Sequence, residues 1–126
     1  MKHRTPMKGG AITGWGTALP EKILTNADLA KSVDTSDDWI RERTGIEQRH
    51  IGGSTSGLAI EAAQKAMTMA GLEPDDIDMV LLATTSPDDQ VPGTAPAVQH
   101  ALGLTCGAVD MNAACSGFVY ALITAH

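Results

Sequence analysis

The sequence predicts an α/β fold in which helices pack on a mostly parallel, mixed sheet. Three observations predict it. Asp78 to Ser86 is apolar at consecutive positions instead of alternating, as parallel strands covered on both faces are. Ser56 to Ala70 carries Ala59, Ala62, Ala63, Ala66, Met67 and Ala70 at i, i+3, i+4 spacing, the stripe of a helix. Strand-like and helix-like segments then alternate toward the end of the chain, the order that βαβ units require.

Composition sets the frame. The 126 residues are 43% apolar and 19% charged, which fits one folded domain and excludes a disordered chain. Aromatic residues make up only 3%, so the core must be built from Ala, Leu, Ile, Val and Met. A net charge of −6 argues against nucleic acid as a partner, since that needs a basic face. No apolar run is long enough to span a bilayer, and no membrane association is expected. Residues 1–9 form a basic leader, with Lys2, Arg4 and Lys8, that is expected to be disordered; residues 10–126 form the domain. The segment after the leader is broken by Gly14, Gly16 and Pro20 and lacks the continuous apolar centre of a signal peptide. With two cysteines at no metal-ligand spacing, this places the chain in a reducing cytoplasm without a metal site.

The elements follow in order. Gly10 to Leu19 reads as a strand whose two glycines permit close backbone approach. Gly14-x-Gly16 is not a dinucleotide fingerprint, because Pro20 stands where a helix would begin. Asn26 is expected to cap a short helix through Val33. Ser36 or Asp37 starts a second helix, with Asp37 and Asp38 in its first turn, Arg41 and Arg43 near its end and Gly45 closing it. Gly52 to Gly57 is a loop without the Gly-Lys-Ser/Thr ending of a phosphate site. The stripe from Ser56 to Ala70 is expected to pack tightly on a sheet, and Gly71 ends its helix. Pro74-Asp75-Asp76 makes a turn before the strand Asp78 to Ser86. Pro87, Pro92 and Pro96 frame a loop, Ala95 to Leu102 a short helix, and Gly107 to Asn112 a further strand. Phe118, Ala121, Leu122 and Ala125 return at helical spacing.

The stretch Asp110-Met111-Asn112-Ala113-Ala114-Cys115-Ser116-Gly117-Phe118 holds the chemistry. A strand ends, small residues turn sharply, and a helix begins at or near Cys115, as in a nucleophile elbow. The positive end of a helix favours thiolate over thiol, and a thiolate is what acyl transfer from a thioester needs. The residues alone leave two readings of Cys115 open: a nucleophile, or a buried cysteine in a tight turn. Cys106, in the link before the last strand, reads as structural. None of His3, His50, His100 and His126 is placed by spacing to serve Cys115 as a base.

Taken together and in order, several motifs resemble the N-terminal part of the β-ketoacyl-acyl carrier protein synthase III family. They are Thr25-Asn26-Ala27-Asp28-Leu29, Asp34-Thr35-Ser36-Asp37-Asp38-Trp39-Ile40, Arg43-Thr44-Gly45-Ile46, Glu61-Ala62-Ala63, Ala83-Thr84-Thr85-Ser86 and Ala113-Ala114-Cys115-Ser116-Gly117-Phe118. The resemblance runs from about Gly10 to the end of the chain. It implies the N-terminal half of a thiolase-like αβαβα sandwich. It implies that Cys115 is the residue acylated by a short acyl-CoA, and that the acyl-enzyme condenses with malonyl-acyl carrier protein in fatty-acid biosynthesis. Coenzyme A is then a substrate and no resident cofactor is implied. Trp39 and Arg43 match residues that sandwich the CoA adenine, and Thr35 one that hydrogen-bonds it. Val91 falls in a loop that, in family homodimers, reaches the neighbouring subunit's acyl pocket. The loop Gly52 to Gly57 is short for the family. The family's catalytic His and Asn lie in its second half, and nothing in these residues matches them, so the chain is expected to be a truncated piece, inactive alone. The competing expectations are a non-catalytic remnant and another thiolase-fold condensing enzyme, such as a hydroxymethylglutaryl-CoA synthase.

Overall fold

A computed structural model describes residues 9–126. Residues 1–8 of the expected leader lie outside the described residues. The elements are β1 (Ile23–Thr25), α1 (Asn26–Leu29), α2 (Asp37–Thr44), β2 (Gln48–His50), α3 (Thr55–Ala70), β3 (Met79–Ala83), α4 (Thr94–Ala101), β4 (Gly107–Met111) and α5 (Gly117–Ala125). Short 3₁₀ turns span Pro74–Asp76 and Ala114–Ser116.

Local chemistry sets most boundaries. Ser36 Oγ accepts the Trp39 N–H at 3.1 Å and starts α2, while Ser54 Oγ accepts the Gly57 N–H at 3.0 Å and starts α3. Both helices close on a glycine in the left-handed region, Gly45 and Gly71. The expected cap of α1 is corrected. Thr25 is the cap, and its hydroxyl accepts the Asp28 N–H while its own N–H donates to the Asp28 carboxylate. Asn26 is the first helical residue, and the α-helix ends at Leu29 instead of Val33. Asp28 has its carboxyl lowered to about 2, first by the Lys31 ammonium at 2.7 Å and then by Thr25.

The α/β expectation holds. β3 and β4 pair in parallel, in register from Met79↔Gly107 to Ala83↔Met111, with α4 and α5 packed on them. The strand is shorter than Asp78 to Ser86, and only Val80–Leu82 within it are half-buried. A second, antiparallel pair joins β1 to β2, which sequence reasoning did not anticipate. Its three-residue strands are too short to show a period, and Gln48, Arg49 and His50 are polar.

The expected strand from Gly10 to Leu19 does not form. The segment joins no ladder among the described residues and runs along α3 instead. A methyl group at Gly14 would overlap the Ala66 carbonyl oxygen, and one at Gly16 the Ala62 carbonyl oxygen. Lys65 Nζ adds a bond to the Thr17 carbonyl at 2.8 Å. The small-residue stripe of α3 therefore receives this strap, and α3 also packs beside α4. Close approach was the right inference from the glycines; the backbone approached is a helix.

The start of α4 is deeply buried, with Thr94 2% and Ala95 0% exposed. The first N–H groups of a helix have no partner within it, and burial makes an unpaired one costly. The residue before α4 is Gly93, which has no side chain to cap with. Asp110 on β4 does the capping: its carboxylate accepts the Thr94 N–H at 2.7 Å and the Ala95 N–H at 2.5 Å. Only glycine fits beside it, since a methyl at position 93 would lie 2.9 Å from Asp110 Oδ2. Asp110→Ala should destabilise the chain by about 2–4 kcal/mol, because it orphans two buried donors. Chemical denaturation of the two proteins measures this, and an unchanged midpoint would refute it.

Candidate active site

β4 delivers the chain to the elbow. After Met111, the residues Asn112 and Ala113 lead into the 3₁₀ turn Ala114–Ser116, closed by Ser116 N–H donating to the Ala113 carbonyl at 3.0 Å. Ala114 has φ = 45°, among the described residues the one non-glycine with positive φ. That conformation costs an L-residue roughly 1–2 kcal/mol. The sharp turn expected at the elbow is therefore present, and its strain sits on the residue before Cys115. Cys115 itself is exposed and forms no disulfide; Cys106 is free and half-buried. The backbone then enters α5 at Gly117, buried so closely on β3 that a methyl there would lie 3.4 Å from the Ala83 Cβ.

A second group of expected residues meets at the start of α2. Asp34, Thr35, Ser36 and Trp39 line a recess of about 350 Å³. The Thr35 hydroxyl oxygen is buried and has no hydrogen-bond partner among the described residues. A buried, unpaired hydroxyl is costly, so a ligand that reached it would relieve the cost. Trp39 is 53% exposed, and the Arg43 guanidinium carbon lies 4.5 Å from its ring centroid. The spacing of four residues brings the two side chains together, as the helix predicts. They are too close, however, to hold a base between them, which needs two stacking gaps of about 3.5 Å each. A sandwich therefore requires the Arg43 side chain to swing outward; without that movement, a base can stack only on the other face of Trp39.

Val91 lies outside both groups. It is 91% exposed, on the loop between β3 and α4. The base of that loop is pinned. The Asp88 carboxylate accepts the Thr55 N–H at 2.7 Å and the Ser56 N–H at 2.8 Å, and the Asp88 N–H donates to Thr94 Oγ1 at 2.8 Å. The Thr55 hydroxyl donates to the Ser86 carbonyl at 2.6 Å. Ser56, through its hydroxyl and then its N–H, holds the Asp88 carboxyl below its ordinary range. Sequence reasoning missed Asp88 and Asp110, whose partners are too distant in sequence for any spacing rule. Among the described residues there is no cluster of three or more His, Cys, Asp or Glu placed to hold a metal, and no helix long and apolar enough to cross a membrane.

No family model matches the chain. A β-ketoacyl-[acyl-carrier-protein] synthase III of Erythrobacter litoralis is 56% identical over 119 residues, covering 91% of this chain and 37% of the relative. One of Bradyrhizobium diazoefficiens is 55% identical over 118 residues, covering 90% of this chain and 36% of the relative. The crystal structure of 3-oxoacyl-[acyl-carrier-protein] synthase III from Aquifex aeolicus superposes with a TM-score of 0.90 at 46% identity, over 93% of this chain and 39% of that one. The chain matches the N-terminal part of the β-ketoacyl-[acyl-carrier-protein] synthase III family. The priming β-ketosynthase of the R1128 polyketide pathway shares the fold, with a TM-score of 0.87 at 29% identity over 99% of this chain and 39% of that one. The thiolase-like fold is thereby established for the described residues. The chain spans a little over a third of the length of the synthase III relatives it matches.

The strain at the elbow is measurable. Ala114→Gly should stabilise the chain by up to about 1 kcal/mol, since glycine adopts positive φ freely. A lowered denaturation midpoint in Ala114→Gly would show that the turn is not strained.

Proposed function

We propose that this chain carries the acyl-accepting part of a β-ketoacyl-acyl carrier protein synthase III. Cys115 takes an acetyl or other short acyl group from coenzyme A. The observation that carries this reading is the exposed, unpaired thiol of Cys115 on the strained turn between β4 and α5. The deprotonated sulfur attacks the thioester carbonyl carbon, the bond from that carbon to the CoA sulfur breaks, and CoA leaves. Coenzyme A is thus substrate, not resident cofactor. Malonyl-acyl carrier protein then loses CO₂, its carbon bonds to the acyl carbonyl, and the Cys115 sulfur departs, giving a 3-ketoacyl product.

The recess at Thr35 and Trp39 supports the same reading. Its free hydroxyl and exposed indole face suit a purine, which offers ring nitrogens and a flat surface. Condensation further needs an oxyanion site and a base. The resemblance assigns those to residues that relatives carry outside the matched segment. In a homodimer the Val91 tip, projecting from its Asp88-pinned base, would enter the partner's acyl pocket.

Purified chain mixed with acetyl-CoA and malonyl-acyl carrier protein should yield no 3-ketoacyl product. Co-expression with the remaining, unmatched part of the Erythrobacter litoralis relative should yield product, and Cys115→Ala should abolish it by at least about 10³-fold. Product from the unaccompanied chain, or unchanged turnover in Cys115→Ala, would overturn the proposal. Inactivity of every complemented pair would favour a non-catalytic remnant. In the complemented enzyme, Val91→Phe should shift the primer profile toward shorter acyl groups; identical profiles would remove Val91 from the pocket.

A further inference from the structure

Asn26 is 1% exposed, and its side chain makes three hydrogen bonds, two donated and one accepted. Its amide nitrogen donates to Asp37 Oδ1 at 2.7 Å and to the Ile46 carbonyl at 2.8 Å, and its oxygen accepts from Arg49 Nη2 at 2.7 Å. Asp37 is the first residue of α2, and Ile46 follows the Gly45 that closes it. One side chain therefore holds both ends of the helix. Arg41, 3.7 Å from the second Asp37 oxygen and 2.8 Å from Glu47, extends this pairing to the exposed surface.

The helix has little else to fix it. Ile40 is the only buried residue of α2, so apolar packing leaves its rotation and tilt weakly determined. Yet α2 carries Trp39 and Arg43, and its cap region carries Thr35, whose buried hydroxyl has no hydrogen-bond partner among the described residues. No other side chain could replace Asn26 with its pairing intact. Two acceptors and one donor surround it, and an aspartate would set carboxylate against carboxylate.

We infer that Asn26 is a positioning residue of the coenzyme A recess: it pins both ends of α2 and so aligns Thr35, Trp39 and Arg43 on one ligand. The inference rests on the coenzyme A reading of that recess. Its role is indirect, since its side chain hydrogen-bonds to Asp37, Ile46 and Arg49 and to none of the recess-lining residues Asp34, Thr35, Ser36 and Trp39.

The test is calorimetric titration of the purified chain with coenzyme A, at a temperature where circular dichroism shows each variant folded. Asn26→Asp should weaken binding roughly tenfold, and the more exposed Asp37→Ala roughly fivefold. Asn26→Asp combined with Asp37→Asn should recover most of the affinity, because the new amide at position 37 donates to the new carboxylate. Val98→Ala, a core truncation in α4, should lower the melting temperature and leave the affinity unchanged. If Trp39→Ala abolishes binding while Asn26→Asp and Asp37→Ala bind within about twofold of the parent, the inference fails and the recess stands. It fails likewise if Val98→Ala weakens binding as much as Asn26→Asp, or if the double variant recovers nothing. If the parent chain binds no coenzyme A, or Trp39→Ala binds as well as the parent, the reading of the recess fails and the inference with it.

Discussion

The larger part of this structure depends on one carboxylate. Asp110 leaves β4 and takes the first two N–H groups of α4, at a point where the chain is deeply buried. The bond does three things at once. It replaces the cap that Gly93 cannot supply, it ties a helix to the strand it covers, and it fixes the end of β4 from which the elbow departs. Burial there excludes water as a substitute partner, and the carboxylate leaves no room at position 93 for a capping side chain. The parallel register of β3 with β4 and the tight seat of Gly117 on Ala83 then complete the frame around Cys115.

The two chemical features sit on supports of different kinds. Cys115 stands on the sheet, where a ladder, a buried helix start and a strained turn restrict it. The recess stands on α2, held by one apolar residue and a set of polar bonds converging on Asn26. Paired polar groups under an exposed helix hold direction better than they add stability, because each bond is exchanged against water. The turn at Cys115 is thus held by the sheet, and the recess by directed polar bonds. The 4.5 Å contact of Arg43 with Trp39 fits that division: the pair is closed on itself in this structure and must part to sandwich a base.

Legibility in the sequence followed range. The elbow was readable because strand end, small residues and helical spacing all fall between Asp110 and Ala125. Helix α2 was readable from Ser36 and Gly45, signals local to its ends. Asn26 was misassigned because two capping residues stand side by side, and the deciding evidence was Asp28, three residues after Thr25. The strap was misassigned because a glycine pair says that some backbone comes near, without saying which. The bonds from Asp88 to Thr55 and from Asp110 to Thr94 exist only once the chain has folded back on itself. The coenzyme A roles proposed for Thr35, Trp39 and Arg43 rest on the resemblance, and no spacing would have supplied them.

The strap and α3 also share a unit of length. Gly14 lies over Ala66 and Gly16 over Ala62, so two strap residues advance as far as four helical ones. The helix rises about 1.5 Å per residue and an extended chain about 3.3 Å, and the two steps agree at roughly 6 Å. The strap is thus a ruler laid against the helix, running in the opposite sense, with its marks at alternate residues. Loss or gain of a single residue before Gly14 shifts nothing, but one between the glycines throws one of them onto the outer face. The separation of the two glycines is therefore set by one turn of the helix they lie on, and neither strap nor helix can slip against the other by a single residue.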